Sequence, residues 1–175
     1  MILSLFRKTK LSEPVYAVYS AIVAQSRREI FYADWGVADT MTGRFDMISL
    51  HAALVFRRLR SSEKQSKEFS QNVFDCFFHD MDRSLREMGV GDLSVGKRIE
   101  KMGSLFYGML SNLSSILDAG DRARLIDFVS RNFHAGATHP QAERFADYIL
   151  KCDETLGAQP VEQIMAGKVT FGYPK

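Results

Sequence analysis

A long apolar stripe in the middle of the chain constrains the fold most. From about residue 63 to residue 88, large apolar side chains recur every three or four positions, which places them on one face of an α-helix. The glycine that follows, Gly89, is typical of the left-handed position that ends a helix. A helix with one apolar face must bury that face against other elements. The stripe comprises Phe69, Val73, Phe77, Met81, Leu85 and Met88, and Phe74 and Phe78 widen it.

Other stretches of the chain show the same helical periodicity. Pro14 suits the first turn of the first helix, and Thr138 followed by Gln141 fits a capping box. The expected cap of the fourth helix is Asp92 or Ser94. No stretch alternates as paired strands do, so we predict an all-α, irregular bundle of about six to seven helices in a single domain. The predicted helices lie near residues 13–28, 46–60, 63–88, 92–118, 121–133, 139–154 and 160–166.

The composition agrees with one globular domain. The 175 residues are 46% hydrophobic and include 13 Phe and 8 Met, enough for a single core. The net charge of +2 is too small for the positive field that nucleic-acid binding uses, so we expect no nucleic-acid partner. Cys76 and Cys152 lack paired spacing and are interpreted as core thiols in a reducing compartment. We expect one core to contain Phe69, Val73, Phe77, Met81, Leu85, Ile99, Met102, Phe106 and Leu113.

The first residues combine apolar and basic side chains. Residues 1–12 are interpreted as a tail before a helical domain of residues 13–175. The apolar residues precede the basic ones, the reverse of a secretory signal, and no apolar run of about 18 residues occurs to span a membrane. The pattern suits shallow insertion beside anionic lipid headgroups, and it equally fits a frayed terminus. The residues concerned are Ile2, Leu3, Leu5 and Phe6, followed by Arg7, Lys8 and Lys10.

A catalytic or metal site would have to be built from isolated residues. The chain has no phosphate-binding glycine loop, nucleophile elbow or zinc-type cysteine cluster, and no axial-ligand motif supports haem or quinone carriage. Asp75, His79 and Asp82 lie on one side of the third helix and could bind a metal, which would suit a metal-dependent enzyme or a small-molecule-binding protein. Arg83 and Arg86 are interleaved with them and favour a structural salt-bridge network instead. We therefore predict no metal, no cofactor and no catalytic residue.

An aromatic connection joins the first two predicted helices. The segment FYADWGVADTMTGRF contains Phe31, Tyr32, Trp35 and Phe45. Exposed together, these side chains would form a binding surface for a partner. Buried together, they would close one end of the bundle. His51, one turn after Met47, is expected at the edge of the core as a hydrogen-bonded structural histidine.

Small residues recur along the fourth predicted helix. Ser104, Gly108, Ser111 and Ser115 stand at i, i+4, i+7 and i+11. Because glycine inside a helix costs up to about 1 kcal/mol relative to alanine, a packing reason is expected. Either another helix of this chain or a helix of a partner packs closely along this stripe.

A family resemblance is carried by three parts of the chain. The segment VFDCFFHDMDRSLREMGVGDLSVGKRIEKMGSLFYG, residues 73–108, resembles the signature of the ubiquinol–cytochrome c chaperone family. The segment RFDMISLHAALVFRRLR, residues 44–60, is similar to the family's upstream histidine-containing helix. The run from Arg131 to Phe133 resembles its Arg-Asn-aromatic element. The similarity extends over roughly residues 15–172.

The resemblance implies a helical assembly factor of the respiratory cytochrome bc complex that is not an enzyme. Mitochondrial members of the family are associated with newly made cytochrome b, so cytochrome b or another subunit of the complex is the expected partner. A ribosome and a second assembly factor are further candidates. The chain is similar to the short bacterial version, which implies a cytoplasmic protein with peripheral contact to the inner membrane.

Charged residues are dense where the third and fourth helices meet. Arg83 and Glu87 stand four apart and can pair, and Arg86 and Asp92 flank the turn and can join its two sides. Such exposed pairs contribute only about 0–1 kcal/mol each, so stability alone explains the cluster poorly. We predict that internal pairs hold the turn while its remaining charges contact an assembly partner. The cluster consists of Asp80, Asp82, Arg83, Arg86, Glu87 and Asp92.

Overall fold

Helices account for the secondary structure of the residues that the structure describes. The computed structural model describes residues 12–60 and 63–174, and the predicted membrane-contacting tail lies outside this range except for Ser12. Within those residues there are eight helices and no strand, which confirms the all-α prediction. Two of the eight are single turns of five residues. The helices are α1 (Glu13–Ser26), α2 (Glu29–Ala33), α3 (Met41–Arg58), α4 (Lys64–Glu87), α5 (Asp92–Ala119), α6 (Arg122–Phe133), α7 (Ala142–Ala158) and α8 (Val161–Met165).

Local hydrogen bonds explain where the helices begin and end. Some of these hydrogen bonds differ from those that the sequence predicts. α3 begins five residues before the predicted start because the Thr40 side chain accepts a hydrogen bond of 3.1 Å from the Gly43 amide. α4 ends as predicted, with Gly89 at φ +81° and the Val90 amide bonded to the Leu85 carbonyl.

Two predicted caps are wrong. The cap of α5 is Gly91, which has extended backbone and no side chain, and neither Asp92 nor Ser94 takes that position. α7 begins at Ala142 with Gln141 as its cap residue, so Thr138 and Gln141 form no capping box. The ring of His139 accepts from the Gln141 amide at 3.2 Å instead. In both places the structure satisfies the first turn without the side chain that sequence rules favour.

The core is arranged around α3. Residues on nearly every side of α3 are buried, and α3 packs against α1, α5, α6 and α7. α4 packs on α1 and α5, and α6 on α7. Both cysteines are free and buried, as expected. Of the predicted core, Phe69, Val73, Phe77, Met81, Phe106 and Leu113 lie in the main cluster, Ile99 and Met102 are half-buried against it, and Leu85 is buried outside it.

The C-terminal tail crosses the outside of α1 and α7. Gln25 of α1 donates a hydrogen bond of 3.2 Å to the Gly172 carbonyl. The Arg28 guanidinium lies 4.1 Å from the centre of the Tyr173 ring, and Phe171 contacts His51 edge-on at 5.2 Å between ring centres. A methyl group at Gly172 would lie 3.1 Å from the Cys152 amide nitrogen, so the tail backbone lies directly against α7. The last residues of the domain are therefore tied to the first helix.

Candidate partner-binding surface

Three of the four rings of the aromatic connection lie inside the protein. Phe31 and Trp35 are fully buried and Phe45 is 4% exposed, so the expectation of an exposed aromatic surface is wrong for these three residues. Phe31 and Trp35 pack edge-to-face, with ring centres 5.3 Å apart. Tyr32 is half-buried, and its hydroxyl donates to the Ser26 carbonyl at 2.8 Å. Burial of the large rings closes one end of the bundle, which is the alternative interpretation of this segment.

His51 anchors a buried hydrogen-bond network beneath that aromatic cluster. Its Nδ1 lies 2.8 Å from the Met47 carbonyl and 2.9 Å from the Ser26 hydroxyl, and its Nε2 lies 2.7 Å from the Tyr148 hydroxyl. Gln25 donates to the same Tyr148 hydroxyl at 2.7 Å. His51 is completely buried rather than at the core edge. The expected structural role is supported, because every polar atom of the ring has a partner.

The network fixes the protonation state of the histidine. Since Nδ1 faces a carbonyl, it carries the proton, and Nε2 accepts from the Tyr148 hydroxyl. Burial lowers the pKa of His51 to about 4, although the Met47 carbonyl acts in the opposite direction. A second proton on Nε2 would leave the Tyr148 hydroxyl between two donors, His51 and Gln25. The ring is therefore neutral and structural.

The charged turn between α4 and α5 is held by the pairs that the sequence predicts. Arg86 contacts Asp82 at 2.6 Å and pairs with Asp92 across the turn, and Arg83 lies 3.8 Å from Glu87. Arg83 also contacts Asp80 at 2.6 Å.

The second oxygen of Asp80 ties this turn to the body of the protein. It accepts a hydrogen bond of 2.7 Å from the Tyr19 hydroxyl of α1. Burial, with the hydrogen bond to Asp80, raises the pKa of Tyr19, so the hydroxyl stays protonated and keeps donating. The charged turn therefore has a fixed position relative to α1.

Apolar side chains are exposed beside these charges. Met88 at the end of α4 is 56% exposed and Leu93 at the start of α5 is 93% exposed. A fully solvated leucine next to fixed ion pairs contributes nothing to the core of this chain. An exposed apolar residue ringed by charged ones is typical of a protein contact surface.

Two of the three residues proposed as metal ligands are engaged with other side chains. Asp75 accepts from Gln71 at 2.7 Å, and Asp82 is paired with Arg86. His79 is exposed. No three histidine, cysteine, aspartate or glutamate residues within 12–60 and 63–174 are close enough together to hold a metal ion. The arginine partner makes this face a salt-bridge surface.

The small-residue stripe of α5 faces outward. Ser104, Gly108, Ser111 and Ser115 are all exposed, on the side of α5 opposite its buried residues. A methyl group at Gly108 would meet no atom within 4 Å. The favoured expectation, that another helix of this chain packs along the stripe, is wrong for the part of the chain that the structure describes. The stripe is open to a partner.

A groove of about 1040 Å³ lies beside this stripe, and the sequence interpretation missed it. The end of α3, the first half of α4 and the second half of α5 form its walls. Its apolar lining includes Phe56, Leu59, Phe74, Tyr107 and Leu110. The sequence assigned Phe74 to the buried stripe, but Phe74 and Phe56 are only half-buried, and Tyr107 is 53% exposed. The sequence did carry a signal for this groove. Each of α3, α4 and α5 has an aromatic residue at the edge of its apolar face.

Cations surround one end of the groove. Arg57 contacts Asp118 at 2.6 Å and Asp153 at 2.8 Å, and Arg60 shares Asp118 at 3.4 Å. The hydrogen bond from Arg57 lowers the pKa of Asp118, which is therefore ionised. Lys67 is also exposed on the rim. The three cationic side chains of the lining are balanced by two carboxylates, Asp118 and Asp153, and the remaining positive charge lies at Lys67, which has no ion pair among the described residues.

A protein family and a solved structure are similar to this chain. A family model described as ubiquinol-cytochrome C chaperone matches residues 33–171, which include the charged turn and the groove. The crystal structure of the Cbp3 homolog from Brucella abortus is similar to this structure, with a TM-score of 0.84 and 38% sequence identity. The similarity covers 98% of this chain and 96% of that chain. No curated protein matches the sequence. No helix within 12–60 and 63–174 has the length and apolar character needed to cross a membrane.

Proposed function

This chain belongs to the ubiquinol-cytochrome C chaperone family, and on that premise we propose that it is a non-catalytic assembly factor that holds newly made cytochrome b for the respiratory cytochrome bc complex. Family membership supports the chaperone role. The choice of cytochrome b as the client, the cytoplasmic location with peripheral contact to the inner membrane, and any need for a ribosome or a second assembly factor are parts of the proposal.

The exposed α4–α5 turn is the observation that carries the proposed partner contact. Its ion pairs and the Tyr19–Asp80 hydrogen bond hold the backbone in place, so little order is lost when a partner binds. Leu93, which follows Asp92 in the chain and is 93% exposed, offers an apolar contact on the same turn. The stripe around Gly108 is a second open surface on the same helix. We propose that the client binds first to the turn.

The test separates partner binding from stability. Arg83→Ala and Asp82→Ala each remove exposed ion pairs of about 0–1 kcal/mol, so the melting temperature should fall by only a few degrees. Assembly of the cytochrome bc complex in cells carrying these variants should nevertheless decrease. Arg122→Ala is the matched control, because Arg122 also forms exposed ion pairs, with Glu143 and Asp147, away from the turn.

Two measurements decide the outcome. Complex assembly is read from native gels of membranes, and client binding from the enrichment of cytochrome b with the tagged chaperone. Normal assembly in both turn variants, or an equal defect in Arg122→Ala, would remove the turn from the partner surface. A tagged protein that never enriches cytochrome b over other membrane proteins would contradict the choice of client.

A further inference from the structure

The groove beside α5 has an exposed apolar floor that the fold itself does not use. The Phe74 and Tyr107 rings stack with centres 5.4 Å apart, and Phe56 packs edge-on against the buried Phe106 at 5.7 Å. These contacts hold the rings in place while Phe56 and Phe74 remain partly exposed and Tyr107 is 53% exposed. Large aromatic side chains held rigidly at an open surface are the residues that most often dominate binding energy in protein interfaces.

One wall of the groove consists of small side chains. Ser111, Ser114 and Ser115 of α5 line it, and Ser70 of α4 lines the opposite side. Small residues allow the backbone of a second helix to approach closely. From Tyr107 to Ala119, the limits of the α5 wall, a helix rises about 18 Å at 1.5 Å per residue. That length matches about three turns of a helical partner lying along α5.

The charge of the groove rim determines which charge a partner helix must carry to fit. Asp118 is already shared by Arg57 and Arg60, and no ion pair to the Lys67 ammonium is found among the described residues. The excess positive charge at Lys67 disfavours a basic helix, whereas a carboxylate at the edge of the helix could pair with Lys67. The groove is therefore complementary to a segment that is apolar on one face and acidic at its edge.

We propose that this groove is the docking site for one amphipathic helix of a partner protein, with apolar side chains packed against the exposed parts of Phe74 and Tyr107 and acidic side chains facing Lys67. The occupant has about twelve residues, apolar at helical spacing, in the helix-in-groove mode of recognition. The source of this helix, a subunit of the cytochrome bc complex, rests on the proposed function. The apolar face and the acidic edge of this helix are inferred from the groove alone.

Site-specific photo-crosslinking in cells tests the proposal. A photo-reactive amino acid replaces Ser111, on the groove wall, in the full chain. The matched control places it at Ser104, an exposed serine on the same helix that does not line the groove. We expect Ser111 to capture a segment that mass spectrometry identifies as an acidic amphipathic helix, and Ser104 not to capture it.

Charge reversal then tests the rim. Lys67→Glu should reduce the Ser111 crosslink about tenfold, because an attractive rim charge becomes repulsive. Lys168→Glu, at an exposed lysine outside the groove, should leave it unchanged. Circular dichroism checks the fold of each variant, and Lys67→Gln, which only removes the charge, should give a smaller decrease in the same direction.

Each outcome decides one of the two proposals. An acidic amphipathic segment of a cytochrome bc subunit supports both. An acidic amphipathic segment of any other protein supports the groove and overturns a cytochrome bc subunit as the source of the helix. A basic segment, a lipid adduct, equal capture from Ser104, or a yield insensitive to Lys67 overturns the groove as the site of an acidic helix, and leaves the assembly role to the tests of the charged turn.

Discussion

Replacing His51 with glutamine should reduce the dependence of stability on pH. The folded protein holds this ring neutral, with a pKa of about 4 against 6.5 in an unfolded chain, because the ring is completely buried. Between pH 6.5 and pH 4 the unfolded chain therefore binds a proton that the folded chain does not, and stability falls as the pH falls. From pH 7 to pH 5 this single group accounts for a loss of about 2 kcal/mol.

Urea unfolding at pH 5 and pH 7 measures this contribution. The glutamine variant should be less stable than the original at pH 7, by about 1–3 kcal/mol, since an amide cannot satisfy the Ser26, Met47 and Tyr148 contacts equally well. Between the two pH values, however, the variant should lose about 2 kcal/mol less.

Other titrating groups cancel in this comparison. Burial raises the pKa of Asp46 to about 6, which stabilises the folded state as the pH falls, but Asp46 is present in both proteins. If the free energy of unfolding falls equally in the two proteins from pH 7 to pH 5, the buried network does not hold His51 neutral.

Two glycines should respond to alanine in opposite directions in the same unfolding assay. Gly43→Ala should destabilise by about 1–3 kcal/mol, because the added Cβ would lie 2.0 Å from the Ala38 carbonyl oxygen and the backbone would have to shift; an unchanged stability would contradict this close approach. Gly108→Ala should stabilise by up to about 1 kcal/mol, because the site is helical and open on all sides; a loss of stability would show that the stripe is covered.

The helical phase of α4 could be predicted from the sequence because it depends on one helix. Phe69, Val73 and Phe77 recur at a fixed spacing, and whichever element packs against them, they share a face. The pairing of Arg86 with Asp92 was predictable for a similar reason, since a short turn limits the distance between its two ends.

The open groove could not be predicted because it depends on where three helices lie relative to each other. Tyr107 follows Phe106 directly, yet Phe106 is fully buried and Tyr107 is half exposed. The aromatic connection failed for a related reason: its composition fits a surface or a plug equally well, and only the packing of Phe31 against Trp35 distinguishes them. The early start of α3 was missed because Thr40 and Gly43 also suit a turn.

The tie between the C-terminal tail and α1 determines when the protein can finish folding. Gln25 and Gly172, joined by a hydrogen bond, are 147 residues apart in the chain. At about 5–20 residues per second, a ribosome makes the second of them about 7–30 s after the first. The helices α3 and α4 that pack on α1 are made early in that interval, but Gln25 lacks the Tyr148 hydroxyl and then the tail, and α1 lacks its contact with α8, until late in synthesis. The packing of the chain around α1 is therefore complete only after residue 172 has been made.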